Sequence, residues 1–498
     1  MLETPVVLLD NFDEDSQMLY QSMRSSGFSG PIITFSDDGY LPEDVMSIYT
    51  YYCGKKEGGK PRYFNQIDVP DYWEIKASNT GGQVFDLSHE RGKIFFTSPL
   101  HKRLVKIVDW YDDTHVARVS DHYNKYGFLY ARTIFNKKGQ LVSRSYYDVS
   151  GNEKVVENFV TQDIILNQED KVYIFKNKVE FAKHLFTELD VYPTRLFYNS
   201  LSNPFFVSES LLDREHSDVL FWQEGYREDI PGNMQVILDG HSRRTSKIFV
   251  QKKEAYEKLI SLGANSNIVK PLGYVYNFEK ENGHSNNVLI CTNSDRIEKL
   301  NELVVAMPNM KFYVCALTEM SQKLMSFEKY DNVRLYPGCK ASEILDLFNT
   351  CDYFLDVNYE NEIVDATKEA FLHNLLILGF NQTIHNRKYV LPSFVFDAND
   401  YQDMVKVIQD ASHLDLNLER QRKMAMTQNV QDYRNIYKGR VFMFSTFNTL
   451  MVIIVLEGIC CLYSLVLAYM SDRKFGKVLN GLMAAIWAIA VILNVVGF

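Results

Sequence analysis

The hydrophobic period of this 498-residue chain changes twice along its length, and that change limits the folds open to it. The apolar run Val6–Leu9, the polar stretch Asp10–Asp15, the helical stretch Ser16–Ser25 and a second apolar run Pro31–Phe35 predict strand, loop, helix and strand of an α/β sheet. From about 61 to 177 the pattern becomes short alternating runs, at 93–97, 104–110, 115–120, 127–135, 141–147 and 172–175. Turn residues such as Asn136–Gly139 and Ser150–Asn152 separate them at hairpin spacing, which predicts an antiparallel β-meander inserted into the α/β lobe. After Val179 the helix and strand alternation resumes, with a helix near Glu180–Leu189 and strands at 194–198, 218–222, 234–238 and 247–250. Beyond the polar linker Asn277–Asn287, strands at 288–291, 311–315, 332–336, 353–357, 375–378 and 393–396 are apolar and evenly spaced, as a doubly wound parallel sheet requires.

The expected organisation is thus a first Rossmann-like lobe from 1–60 and 178–276, an inserted β-meander at 61–177, a second Rossmann-like lobe at 277–437 and a separate tail at 438–498. In that tail Phe442–Met470 and Val478–Phe498 are apolar over about the twenty residues that span a bilayer, and only Ser471–Lys477 breaks them. This predicts a C-terminal two-helix transmembrane segment that anchors the chain in the cell membrane, with the main body on the cytoplasmic side. Lys438 and Arg440 precede the first span while Arg473, Lys474 and Lys477 lie in the connecting loop, so positive charge leaves the topology open. Glu457 sits mid-span, either as a partner contact or as a protonated or snorkelling side chain.

Net charge of −10 without a Lys/Arg cluster argues against nucleic acid as a partner, because phosphate neutralisation supplies most of that affinity. The seven cysteines are dispersed and form no CxxC pair, so neither a metal site nor a disulfide framework is expected, and no cofactor is implied. The first loop, Asp10–Asp15, lacks glycine and is crowded with carboxylates that repel phosphate. On the meander, exposed alternate positions are expected to carry Arg103, Lys106, Arg118, Arg132, Arg144, Tyr130, Tyr146 and Tyr147, a mixture suited to an extended peptide or its sugars; an ordinary solvated sheet face is the alternative. Trp73, Trp110 and Trp222 are either contacts of this kind or packing residues.

The order Asn332–Gly338, Thr350–Val357, Glu369–Phe371 and Leu375–Phe380 resembles the nucleotide-sugar half of retaining GT-B glycosyltransferases. That resemblance implies two glutamates, seven residues between them, framing the donor; Glu369 takes the second place and Asn361 the first, flanked by Glu360 and Glu362. It also implies an Arg and a Lys that neutralise the leaving diphosphate, where this chain has Asn293 and Glu298, with Arg296 and Lys299 nearby. Asn293, Glu298, Asn361 and Glu369 therefore mark a degenerate donor site with no catalytic residue assigned.

A more specific set of strings is Pro61–Gln66 with Tyr72–Ile75, Asp218–Glu224 with Ile230–Met234, Thr292–Asp295, and Asn361–Ala366 with His373–Asn374 and His385–Arg387. Together they resemble the glycosyltransferase-stabilising subunit, the B subunit, of the accessory Sec system. The resemblance implies a non-catalytic GT-B-fold partner of a catalytic O-GlcNAc transferase subunit, which binds the serine-rich-repeat adhesin polypeptide before export, with the β-meander involved. A C-terminal membrane hairpin is a departure from that pattern. Three readings stand: a substrate-binding co-activator, an active retaining glycosyltransferase, and a membrane scaffold with a decayed enzyme fold. Asn361 and the missing Arg/Lys pair favour the first over the second, and the basic, aromatic insertion favours it over the third.

Overall fold

Three sheets carry the architecture. The computed structural model describes residues 2–54, 58–78, 80–212 and 217–438. The first sheet opens with β1 (Leu2–Leu9), β2 (Ile32–Thr34) and β3 (Val45–Ser47). The chain then leaves to build β4 (Trp73–Ala77), β5 (Gly82–Asp86), β6 (His89–Phe96), β7 (Val105–Tyr111), β8 (Ala117–Tyr123), β9 (Leu129–Phe135), β10 (Leu141–Tyr147), β11 (Glu153–Asn158), β12 (Ile164–Gln168) and β13 (Lys171–Phe175). These ten form one antiparallel sheet in strict sequence order, a meander. The chain returns through β14 (Val191–Tyr198), β15 (Asp218–Trp222), β16 (Thr245–Val250) and β17 (Val269–Pro271), giving a parallel sheet of order β17-β16-β15-β14-β1-β2-β3. β18 (Asn287–Thr292), β19 (Lys311–Ala316), β20 (Val333–Tyr336), β21 (Tyr353–Asp356), β22 (Leu376–Phe380) and β23 (Val395–Phe396) make the second parallel sheet, order β20-β19-β18-β21-β22-β23. Both lobes and the insertion belong to one compact unit that ends at Val430.

The parallel strands are apolar runs because helices cover both faces. In β18, Val288 and Ile290 enter one core while Leu289 and Cys291 enter the core on the opposite face, as the two-residue strand period demands. The insertion shares the first lobe's core: Tyr130, Tyr146, Val155, Ile164 and Leu166 pack with Val6, Leu8, Tyr49 and Phe181. Its other end has a smaller core of Ile67, Val84, Ile94, Phe96, Val105, Val108 and Tyr123.

Two sequence expectations about elements change. The apolar run 234–238, expected as a strand, is the helix Gly232–Leu238, with Met234 and Ile237 buried three residues apart on one face. A five-residue apolar run has no period of its own, and the Ile230-Pro-Gly lead-in marks a helix start. The meander has ten strands where six runs stood out: β4, β5, β11 and β12 are only five or six residues long, and β5 and β11 carry just two large apolar residues each.

The fold class needs one correction. The α/β, GT-B-like architecture is present, but the expected C-terminal transmembrane segment is not supported: among the described residues no helix is long and apolar enough to cross a membrane. The stretch on which that expectation rested, 439–498, lies outside the described residues.

Candidate functional site

A cleft of about 780 Å³ lies between the two lobes. Asp13, Glu14 and Asp15 line it from the first lobe with Lys252, Lys253, Glu254 and Glu257; Asn386, Arg387, Lys388, Val390 and Met424–Met426 line it from the second. The acidic first loop is built into a helix start: the Asp13 carboxylate accepts from the Ser16 amide at 2.9 Å and caps the helix Glu14–Ser25. Asp15 then faces the cleft, its Oδ2 2.9 Å from Lys252 Nζ and its Oδ1 3.3 Å from Lys388 Nζ. Burial works to raise the Asp15 pKa, but the two ammoniums hold it below the ordinary carboxylate range. Glu14 lies 3.5 Å from Lys368 of the second lobe. Several of the carboxylates and cations at the cleft are therefore paired with one another.

The crossing between lobes is tight. Gly273 lies so close to the returning chain that a Cβ there would stand 1.6 Å from the Met426 carbonyl oxygen. Tyr274 donates its amide to that same oxygen at 3.2 Å and accepts from the Gln428 amide at 2.8 Å.

The residues expected to mark a degenerate donor site fall on two neighbouring segments of the second lobe. Asn293, exposed just beyond β18, accepts from Asn358 Nδ2 at 3.4 Å. Glu298 accepts from the Tyr359 hydroxyl, and its amide donates to the Val357 carbonyl at 2.8 Å. Asn361 sits exposed at the end of that stretch. The flanking glutamates take other work. Glu360 pairs with Arg296 at 2.8 Å on the surface, and Glu362 turns back onto the helix Ala366–Leu372, accepting from the Thr367 amide at 2.6 Å. Burial raises the Glu362 pKa. Glu369, on that helix, has its pKa raised by burial and lies 3.8 Å from His373 Nδ1. The structure thus joins Asn293 and Glu298 to the segment leading into Asn361, while Glu369 pairs within its own helix.

The loop 358–365 is held rigidly. His385 donates to Asp356 on one side and to the Glu360 carbonyl on the other, at 2.6 Å each. Val364 and Asp365 take φ values of 49° and 50°, a left-handed conformation that is uncommon for a β-branched residue and costs backbone strain.

The candidate acceptor residues on the meander separate into two groups. Tyr130 and Tyr146, expected on an exposed face, are 3% and 1% exposed. Tyr146 stacks on Tyr49 of the first lobe with ring centroids 4.2 Å apart, and the Tyr130 hydroxyl donates to the Asp37 carbonyl at 3.0 Å. Tyr130 falls at a bulge between β8 and β9, which helps turn it toward the lobe. The arginines are partly exposed and already engaged. Arg132 grips Asp121 with two hydrogen bonds of 2.6 and 3.1 Å, and Trp110 donates to the same carboxylate at 2.9 Å. Arg118 bonds the Phe135 carbonyl at 3.2 Å, Arg144 the Thr133 hydroxyl at 2.8 Å, and Arg103 lies over the Phe64 ring. Trp222 is buried in the first core and Trp73 packs at the edge of the smaller one.

Family models cover nearly all of this architecture: the GtfB N-terminal domain at 6–52, the GtfB middle domain at 73–176, the GtfB third domain at 178–262 and the GftB/GlyA-F C-terminal domain at 288–439. A relative from Streptococcus agalactiae, the UDP-N-acetylglucosamine–peptide N-acetylglucosaminyltransferase stabilizing protein GtfB, is 40% identical over 87% of this chain and 99% of its own length. The chain belongs to the GtfB family of glycosyltransferase-stabilising proteins. The GtfB of Limosilactobacillus reuteri subsp. suis is 34% identical over 86% of the chain and 98% of its own length. Among solved structures, a chain of the GtfA/B complex bound to UDP and GlcNAc superposes with a TM-score of 0.82 at 37% identity, covering 87% of this chain and 99% of that one.

Within this GtfB family member, sequence reasoning missed the residues that join the lobes. Asp15 and Lys388 are 373 positions apart, and neither carries a motif. Asp356, the partner of His385, read only as the end of a strand. The one available signal was the crowded carboxylates of the first loop, which need cations from somewhere in a folded chain.

Proposed function

We propose that this chain is the non-catalytic, acceptor-binding and stabilising subunit of a protein O-glycosyltransferase complex. A catalytic GtfA-type partner adds N-acetylglucosamine to Ser and Thr of serine-rich-repeat adhesins before accessory Sec export, and this chain holds the polypeptide. The observation that carries the reading is the state of the cleft. The residue at the first donor glutamate position is an exposed amide, Asn361, the two diphosphate positions are Asn293 and Glu298, and the cleft lysines Lys252 and Lys388 are both held by Asp15. The two lysines that face each other across the cleft are thus already neutralised, and charge stabilisation of a leaving diphosphate is a large contribution to such a transfer. A cleft of paired charges suits instead a neutral, hydroxyl-rich chain that asks for hydrogen bonds without net charge. Family membership supports the same reading, as relatives are named for stabilising a peptide N-acetylglucosaminyltransferase and a solved relative comes from a GtfA/B complex.

Binding of a fluorescent serine-rich polypeptide to the purified chain, followed by anisotropy without any nucleotide sugar, tests the acceptor half of the proposal. Saturable binding is expected. Failure to bind, in folded protein, would remove acceptor capture from the account.

A further inference from the structure

Three hydrogen-bond donors from three segments converge on one carboxylate at the junction of the lobes. Lys252 follows β16 of the first lobe, Tyr274 lies on the crossing between lobes, and Lys388 belongs to the second lobe; they reach Asp15 at 2.9, 3.2 and 3.3 Å. The receiving position is fixed from behind, since Gln223 Nε2 donates to the Asp15 carbonyl at 2.9 Å and is itself tied to Gln251 at 2.8 Å. Lys388 is held over the Tyr274 and Tyr389 rings at 5.0 and 5.7 Å, so its ammonium does not swing freely into solvent. The Asp15 side chain is 22% exposed, at the wall of the cleft.

Two ammoniums and a phenol aimed at one point form the donor set of a phosphate site. A phosphate presents three acceptor oxygens and about −1.5 to −2 charge near neutral pH, while one carboxylate brings two oxygens and a single charge. The chain fills the position with its own anion.

We propose that Asp15 is an internal anion occupying a diphosphate-type site between the lobes, masking Lys252 and Lys388 from phosphorylated ligands such as nucleoside diphosphates. Masking leaves the cleft open to an uncharged polypeptide and closes it to the donor that the catalytic partner must bind. The contact also ties the lobes together, because Asp15 and Lys388 come from opposite sides of the cleft. This inference rests on the reading of the cleft as non-catalytic. Its test is separate, since acceptor capture is measured without any phosphate and anion binding without any acceptor.

The experiment is calorimetric titration of inorganic pyrophosphate and of UDP into the full-length chain, as wild type, Asp15→Ala and Asp15→Asn. The asparagine is nearly isosteric and retains an acceptor for Tyr274, so it serves where the alanine variant does not fold. The unmasked variant is expected to bind pyrophosphate at least about tenfold more tightly than wild type. Adding Lys252→Gln and Lys388→Gln to it should abolish the gain. Tighter binding of UDP than of pyrophosphate would extend the site to the nucleoside, and equal binding would limit it to the diphosphate; both accord with the proposal. Equal affinity of wild type and folded Asp15 variants, or a gain that survives loss of both lysines, overturns it.

Discussion

His385 donates its Nδ1 proton to Oδ1 of Asp356 at 2.6 Å and turns Nε2 to the Glu360 carbonyl oxygen, also 2.6 Å away. Both neighbours only accept, so both ring nitrogens carry protons and the side chain is an imidazolium. It fastens the loop 358–365, which carries Asn361, to the end of β21.

That pair makes stability depend on pH. The hydrogen bond to Asp356 raises the His385 pKa from 6.5 to about 9 against the opposing effect of burial. A raised cation pKa contributes stability that is complete below the unfolded value and is lost as pH rises through the folded one. Unfolding free energies of wild type and His385→Gln should therefore differ by at most on the order of 3 kcal/mol at about pH 6 and converge above about pH 9. A difference that stays constant across that range would show that the imidazolium is not the source.

Arg244 and Asp218 form a fully buried pair, 0% exposed on both sides, with hydrogen bonds of 2.8 and 3.0 Å. Ser208 and the Leu196 amide complete the carboxylate's partners. Removing one member strands the other without water, so Asp218→Ala should cost about 3–5 kcal/mol in urea unfolding. Loss below about 1 kcal/mol would mean that the site relaxes to admit solvent.

The meander is joined to the first lobe through the Tyr49–Tyr146 stack. Tyr146→Ala removes a buried ring and should destabilise by about 3–5 kcal/mol, with earlier proteolytic cleavage in the insertion; Tyr146→Phe should be far milder. Equal proteolysis of wild type and Tyr146→Ala would place the joint elsewhere.

Restoring the first donor glutamate should not restore transfer. Asn361→Glu supplies one carboxylate, but Asn293, Glu298 and the Asp15-bound lysines remain, so sugar transfer by the variant alone should stay at least about 100-fold below that of the catalytic partner. Product mass after incubation with UDP-N-acetylglucosamine checks this, and transfer approaching the partner's rate would contradict the account of the cleft.

The lobes were legible in the sequence because strands buried on both faces, such as Val288–Cys291, are unbroken apolar runs. The meander was legible as a class and less so in detail. β11 buries only Val155 and Glu157, the latter held by Tyr49 and Lys178, so its alternation is hidden. Tyr130 and Tyr146 were misplaced for a related reason: alternation separates the two faces of a strand but does not say which face another lobe covers. The degenerate positions Asn293, Glu298, Asn361 and Glu369 came from a resemblance to a family pattern, and the Asp15–Lys388 contact had no counterpart in spacing or composition. The expected membrane hairpin rested on hydropathy alone, in a stretch outside the described residues.

The most direct test of the central claim follows acceptor mass when a serine-rich polypeptide and UDP-N-acetylglucosamine are incubated with this chain alone, with the GtfA-type partner alone, and with both. The account predicts no mass gain from this chain alone and faster or more extensive glycosylation by the pair than by the partner. Transfer by this chain alone would make it an enzyme, and a partner whose activity does not change on its addition would contradict the stabilising, substrate-holding role.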